Sequence, residues 1–226
     1  MFNFAQNKTA FTLAEVLITI GIIGVICALT IPNLIQNNFE KRTVSQLREI
    51  QSILSQTVRS AEEEYGDVTG WGLTGQNEAS ALIIAQNLKP YLKIAQDCGT
   101  VDNKGACFPL VPYKLLNKKN NSIIYATNKN YYKVKLLNGL SLFWRSGNSI
   151  EMSNDEYIDF LIDTNGVLPP NTFGKDVFLF IYEKHSIKPE GAPNTENQNT
   201  CNLDGNGIGC AYVILQNQNM NYLHKK

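Results

Sequence analysis

The chain has 226 residues, room for one ordinary domain of roughly 100 to 200 residues with something attached. Twenty lysines and arginines balance twenty aspartates and glutamates, so no bulk field draws the protein to nucleic acid or to an acidic surface. Only 18% of residues are charged, and asparagine is frequent in the second half; a surface kept polar without ions suits a secreted or surface protein.

Residues 1–10 form a short polar leader with one cation, Lys8. From Val16 to Phe39 no residue is charged. As a helix this stretch would reach roughly 36 Å, more than the roughly 30 Å hydrocarbon core of a bilayer, and a transmembrane helix is expected. A general secretory signal would be cut after the apolar run at a small-x-small site, but Ile26 stands two residues before Ala28, the best candidate. A lipoprotein signal would need a small residue just before Cys27, where Ile26 stands again.

The third reading cuts ahead of the apolar run, between Ala10 and Phe11. Ala10, Phe11, Thr12, Leu13 and Glu15 together resemble the processing site of type IV prepilins and type II secretion pseudopilins. That site has a small residue before the cut, then Phe, a Thr-Leu pair and a Glu as fifth residue of the mature chain. Pro32, with Gly21 and Gly24 before it, extends the resemblance. Ala10 in place of the usual Gly, and Ala14 where Ile is common, depart from it.

The resemblance implies an α+β, pilin-like fold: a long N-terminal helix, transmembrane in its first half and amphipathic in its second, packed on an antiparallel β-sheet head. The implied division is a leader at 1–10, a transmembrane and assembly helix at 11–39, its amphipathic continuation at 40–65 and the head at 66–226. The implied function is that of a structural, non-enzymatic subunit. Prepilin peptidase would cut it, with Phe11 open to N-methylation, and an inner-membrane assembly platform would add it to other pilin or pseudopilin subunits. Its place would be the bacterial inner membrane as a single-pass protein, then a periplasmic or extracellular filament. A different class stays open: a membrane-tethered extracytoplasmic enzyme or a ligand-binding or adhesion domain that uses the helix only as an anchor.

Glu15 has two readings. A carboxylate inside a membrane segment costs roughly 2.5 to 3.5 kcal/mol and tends to mark function, yet a residue this near the helix end can also sit at the headgroup boundary. Cleavage at Phe11 would create an α-amine four residues away. The resemblance then gives Glu15 the role of pairing with the ammonium of a neighbouring subunit and setting axial register. Gly21, Gly24 and Ala28 would allow close helix approach, and Pro32 would kink or locally melt the helix.

Past the membrane segment, Val44, Leu47, Ile50, Leu54, Val58 and Ala61 recur at three- and four-residue steps, one apolar face opposite Arg48, Glu49 and Arg59. Glu62, Glu63 and Glu64, followed by Gly66 and Asp67, mark the helix end. Three acids there oppose the helix dipole and read as a solvated face. Charge is a poor guide to topology, with Lys8 on one side and Lys41 and Arg42 on the other.

In the head, a helix is expected over 79–92, then a loop closed by Cys98 and Cys107. Cys201 and Cys210 have the same spacing. Neither pair has Cys-x-x-Cys spacing or nearby histidines, so two short disulfide loops are expected rather than zinc, in an oxidising compartment. Cys27 lies within the apolar run. Strands are expected at 122–126, 131–137, 140–145, 157–162 and 177–182, with Asn138-Gly139 as a hairpin turn whose two residues both take positive φ. Between the last two strands, Asp163, Asn165 and Asp176 sit in a stretch dense in side-chain oxygens. Calcium takes six to eight oxygen ligands, and major pseudopilins carry calcium in C-terminal loops, so a calcium site is one use; Asp-x-Asn-Gly is equally the material of an ordinary turn. Asp204-Gly-Asn-Gly207 is a second such cluster, better read as a disulfide-closed turn. A strand is expected at 211–215. His185 and His224, each in a polar stretch, read as solvated, and no catalytic constellation stands out.

Overall fold

A computed structural model describes residues 12–147 and 157–224. Ala10 and Phe11, where cleavage is expected, lie outside the described residues. The chain forms two compact units, Met1–Arg42 and Thr43–Lys226, and helix α1 (Leu13–Tyr65) belongs to both. The whole is α+β, a long N-terminal helix and a six-stranded antiparallel sheet.

In the first unit no described side chain of α1 is buried. Leu13, Leu29 and Ile35 are 80%, 69% and 63% exposed, so this part presents apolar surface all round. Pro32 removes one backbone donor, yet α1 runs unbroken through it, and the local melting expected there is absent. The described residues hold one helix long and apolar enough to cross a membrane.

In the second unit α1 buries Thr43, Val44, Leu47, Ile50, Leu54, Thr57, Val58 and Ala61. The apolar stripe read from the sequence is the buried face, and each fully buried Leu or Ile contributes about 1.5–3 kcal/mol. Helix α2 (Glu78–Leu88) begins where the Asn77 side chain accepts a hydrogen bond from the Ser80 amide at 2.9 Å. It ends earlier than expected because Pro90 has no amide hydrogen to continue the helical bonding, and residues 89–91 form a 3₁₀ turn instead.

The sheet is a meander whose strand order follows the chain: β1 (Ile94–Gly99), β2 (Tyr132–Leu136), β3 (Ser141–Gly147), β4 (Tyr157–Asp163), β5 (Val177–Glu183) and β6 (Ser186–Pro189). The β2–β3 hairpin falls on Asn138-Gly139, but only Gly139 has positive φ (+88°). The Gly139 amide donates to the Leu136 carbonyl at 3.0 Å and the Leu136 amide to the Leu140 carbonyl at 2.8 Å. This is a three-residue loop ending in a left-handed glycine rather than a two-residue turn. The β5–β6 hairpin is the tighter one: Glu183 pairs with Ser186, and Lys184 and His185 both have positive φ, 50° and 60°. Neither is glycine; histidine is among the residues enriched at positive φ, but for an ordinary side chain such as that of Lys184 the left-handed conformation costs roughly 1–2 kcal/mol.

Both faces of the sheet are covered. Val134, Leu142, Trp144, Phe160, Phe178 and Phe180 pack with α1 and α2 in one core, and the Trp144 indole donates to the Ala81 carbonyl at 3.2 Å. The opposite face, with Phe143, Leu161 and Val177, packs against Phe108, Tyr113, Tyr125 and Tyr131 from the chain between β1 and β2. Tyr125 lies edge-on to Tyr131, centroids 5.2 Å apart, and tilted over Phe143 at 5.0 Å. Residues 122–126 are therefore an irregular covering segment and not a strand.

Lys133 on β2 is fully buried. Its ammonium donates to the Thr100 carbonyl and, at 2.6 Å, to the Asn128 carbonyl, tying the two ends of that covering segment to the sheet. Burial pushes its pKa down to about 8. The segment 211–215 is helical: α3 (Cys210–Asn217) buries Cys210, Ala211 and Ile214 on one face, and a short apolar run does not by itself distinguish helix from strand.

Leu54→Ala is expected to destabilise the full chain by about 2–5 kcal/mol in denaturant unfolding in micelles. Leu137→Ala, at a position 69% exposed, should stay within about 0.5 kcal/mol of the parent. Comparable losses from the two would contradict this placement of the core.

Candidate functional site

At the start of α1, the Glu15 carboxylate accepts from the Thr12 amide at 2.8 Å and from the Thr12 hydroxyl at 2.8 Å, while the Thr12 hydroxyl accepts from the Glu15 amide at 3.2 Å. This is a capping box. Thr-x-x-Glu ahead of an apolar run is its sequence signature, and Thr12-Leu-Ala-Glu15 carries it, so the local role of Glu15 was readable beside the two weighed for it.

The oxygen-rich connection between β4 and β5 holds Asp163, Asn165 and Asp176, with Asn171 in the same loop and Tyr113 hydrogen-bonded to Asp163. Asp163 ends β4 and Asp176 directly precedes β5, and the two strands pair at Asp163–Val177, so the register itself sets the two carboxylates side by side. Both are fully buried. Asp163 accepts from the Tyr113 hydroxyl at 2.7 Å and the Asn165 amide at 3.1 Å. Asp176 accepts from the Thr172 amide at 2.7 Å and the Asn171 amide at 2.8 Å. These donors are a phenol and backbone amides, none of them a cation.

Burial pushes Asp176 up to about 6, its backbone donors opposing the rise. Burial, and then the charge of Asp176, push Asp163 well above the usual carboxylate range. Beside them, the side-chain oxygens of Asn165 and Asn171 are buried with no hydrogen-bond partner. Two carboxylates and two orphaned amide oxygens are the type of oxygen donor that a hard divalent cation such as calcium takes. Such an ion would supply positive charge to a buried pair whose hydrogen-bond donors, among the described residues, include no cation. The site is joined to α1, since the Gln46 side chain donates to the Thr164 carbonyl at 3.1 Å. Sequence reasoning missed Asn171, whose signal was its place five residues before Asp176 in the same loop.

The cysteines pair as expected, Cys98 with Cys107 and Cys201 with Cys210, Cα atoms 6.3 and 4.7 Å apart; Cys27 is free. In the first loop Asp102 accepts from the amides of Lys104, Ala106, Cys107 and Phe108 at 2.8–3.2 Å. Burial alone would raise its pKa, but the four donors outweigh that and lower it. In the second loop Asp204 is exposed, and the Asn206 and Gly205 carbonyls accept from the Leu116 and Asn117 amides at 3.0 Å. That loop is a backbone-bonded turn, as expected.

No family model, curated protein or solved structure matches the chain.

In chelator, stability should fall as pH rises from about 4 to above 6, because the folded-state pKa of Asp176, about 6, exceeds its unfolded value and the folded state holds the extra proton in that window. With millimolar calcium the loss should be abolished, and melting at pH 7 should shift upward by several degrees. Identical melting curves with calcium and with chelator at pH 7 would count against the cation.

Proposed function

We propose that this chain is a structural, non-enzymatic subunit of the prepilin and pseudopilin class, a membrane protein first and a filament subunit afterwards. The observation that carries the reading is the change of character within α1: apolar and unburied all round over its first part, then apolar on one stripe that forms the core of the sheet unit. Apolar surface of that extent loses roughly 25 cal/mol per Å² in water. Lipid covers it before assembly, and the same helix of neighbouring copies covers it afterwards.

The Ala10-Phe11 processing motif supports the class, with prepilin peptidase and an inner-membrane assembly platform as partners. The two disulfides favour an oxidising compartment for the head, hence outside the bacterial cytoplasm. A calcium ion at Asp163, Asn165, Asn171 and Asp176 would brace the β4–β5 loop against α1. Type IV pilus and type II secretion pseudopilus are equally served by this architecture.

Glu15 separates assembly from mere helix capping. Glutamine retains the capping box but carries no charge to neutralise a terminal ammonium. Glu15→Gln, like Glu15→Ala, is therefore expected to fail to enter filaments, and the glutamine variant should still insert and fold like the parent. The mature protein should begin at Phe11 by mass in cells with prepilin peptidase. A mature N-terminus at Met1, or normal filament entry by Glu15→Gln, would overturn this reading.

A further inference from the structure

The last turn of α1 holds three glutamates and no basic residue, and Asp67 comes two residues after the helix ends. The fold brings one group to them from far away. His185, in the β5–β6 turn, places Nδ1 3.0 Å from Glu62 Oε1 and Nε2 3.1 Å from Asp67 Oδ2. The imidazole read as solvated from the sequence is thus flanked by two carboxylates, and one donor atom from each of Glu62, Asp67 and His185 lies within 4.8 Å of the others.

We propose that Glu62, Asp67 and His185 bind a divalent transition-metal ion of the zinc class. Two carboxylates with one imidazole are a three-ligand set of the kind zinc accepts, leaving a further position for water, and the His185 side chain is 65% exposed, so an ion can enter. Imidazole favours zinc and its neighbours over calcium or magnesium, which prefer all-oxygen sets. Glu62 is oriented by the Tyr182 hydroxyl, and Asp67 by the amide and hydroxyl of Thr69 at 2.9 and 2.8 Å, outer partners that hold ligands in place. A dication also accounts for the glutamates: it answers the excess negative charge at a helix C-terminus, where the dipole is itself negative. The left-handed backbone of Lys184 and His185 is the conformation that carries the imidazole to this point, and binding there pins the end of α1 to the β5–β6 turn.

A proton competes for the same place, since imidazolium could bridge the two carboxylates. The test is zinc titration of chelator-treated, tag-free full chain in micelles near pH 7.5, by calorimetry and thermal melting, with cobalt(II) absorption as a probe of imidazole ligation. One equivalent of zinc should bind at micromolar or tighter affinity and raise the melting temperature by several degrees, undisturbed by millimolar calcium. His185→Asn, which suits the left-handed turn, should fold normally and lose affinity by at least roughly tenfold. Asp163→Asn should leave the zinc response intact. No binding, equal binding by His185→Asn, or melting that follows pH but ignores zinc would overturn the proposal.

Discussion

A helix that is apolar all round for its first turns and apolar on one stripe for its last cannot be satisfied by a single environment. The stripe of α1 has its partner within the chain, where Leu47, Ile50 and Leu54 are fully buried. The first part has none among the described residues. Everything proposed for the protein's working life follows from that asymmetry, because the hydrophobic effect demands a cover for the one part and has already supplied it for the other.

The sheet answers a related demand by being buried on both faces, unusual for an antiparallel meander, which commonly leaves one face to water. Its second cover is an aromatic segment with little regular structure, held by a buried lysine, a disulfide and Asp102 with its four amides. The buried carboxylates of the β4–β5 loop belong to the same economy. Lys133 and Asp102 are surrounded by backbone acceptors or donors and Asp159 is paired with Arg145, whereas at Asp163 and Asp176 burial raises both pKa values despite the donors around them.

The parts of the fold that declared themselves in the sequence were those with a strict period or a required turn. The stripe from Val44 to Ala61, the strands β2 to β5 and the glycine of the β2–β3 hairpin have such signals. Strand β1 had none, being a mostly exposed edge with two register irregularities. Strand β6 is four residues ending in Pro189, a residue tolerated at edges, and its turn lacks any glycine. The misread segments, 122–126 and 211–215, are short apolar runs whose conformation is decided by what they cover. At the candidate cation site, composition marked Asp163, Asn165 and Asp176, while Asn171 emerged only when the loop closed and left its oxygen without a partner. His185 is the extreme case, since Glu62 lies 123 residues earlier and no local pattern joins them.

The strand order has a consequence for how the molecule forms. Each strand of the meander pairs with the one made just before it, so from β2 onward the sheet can grow by successive pairings at small chain separation and small entropic cost, while β1 and β2 are joined across the long covering segment. The buried stripe of α1 is synthesised before every strand it packs against. Leu47 and Leu54 must therefore wait, uncovered, until residues as late as Phe180 are in place, and the docking of this helix closes the longest loop in the head. Folding that begins locally in the sheet ends with the capture of a segment made before any of its strands.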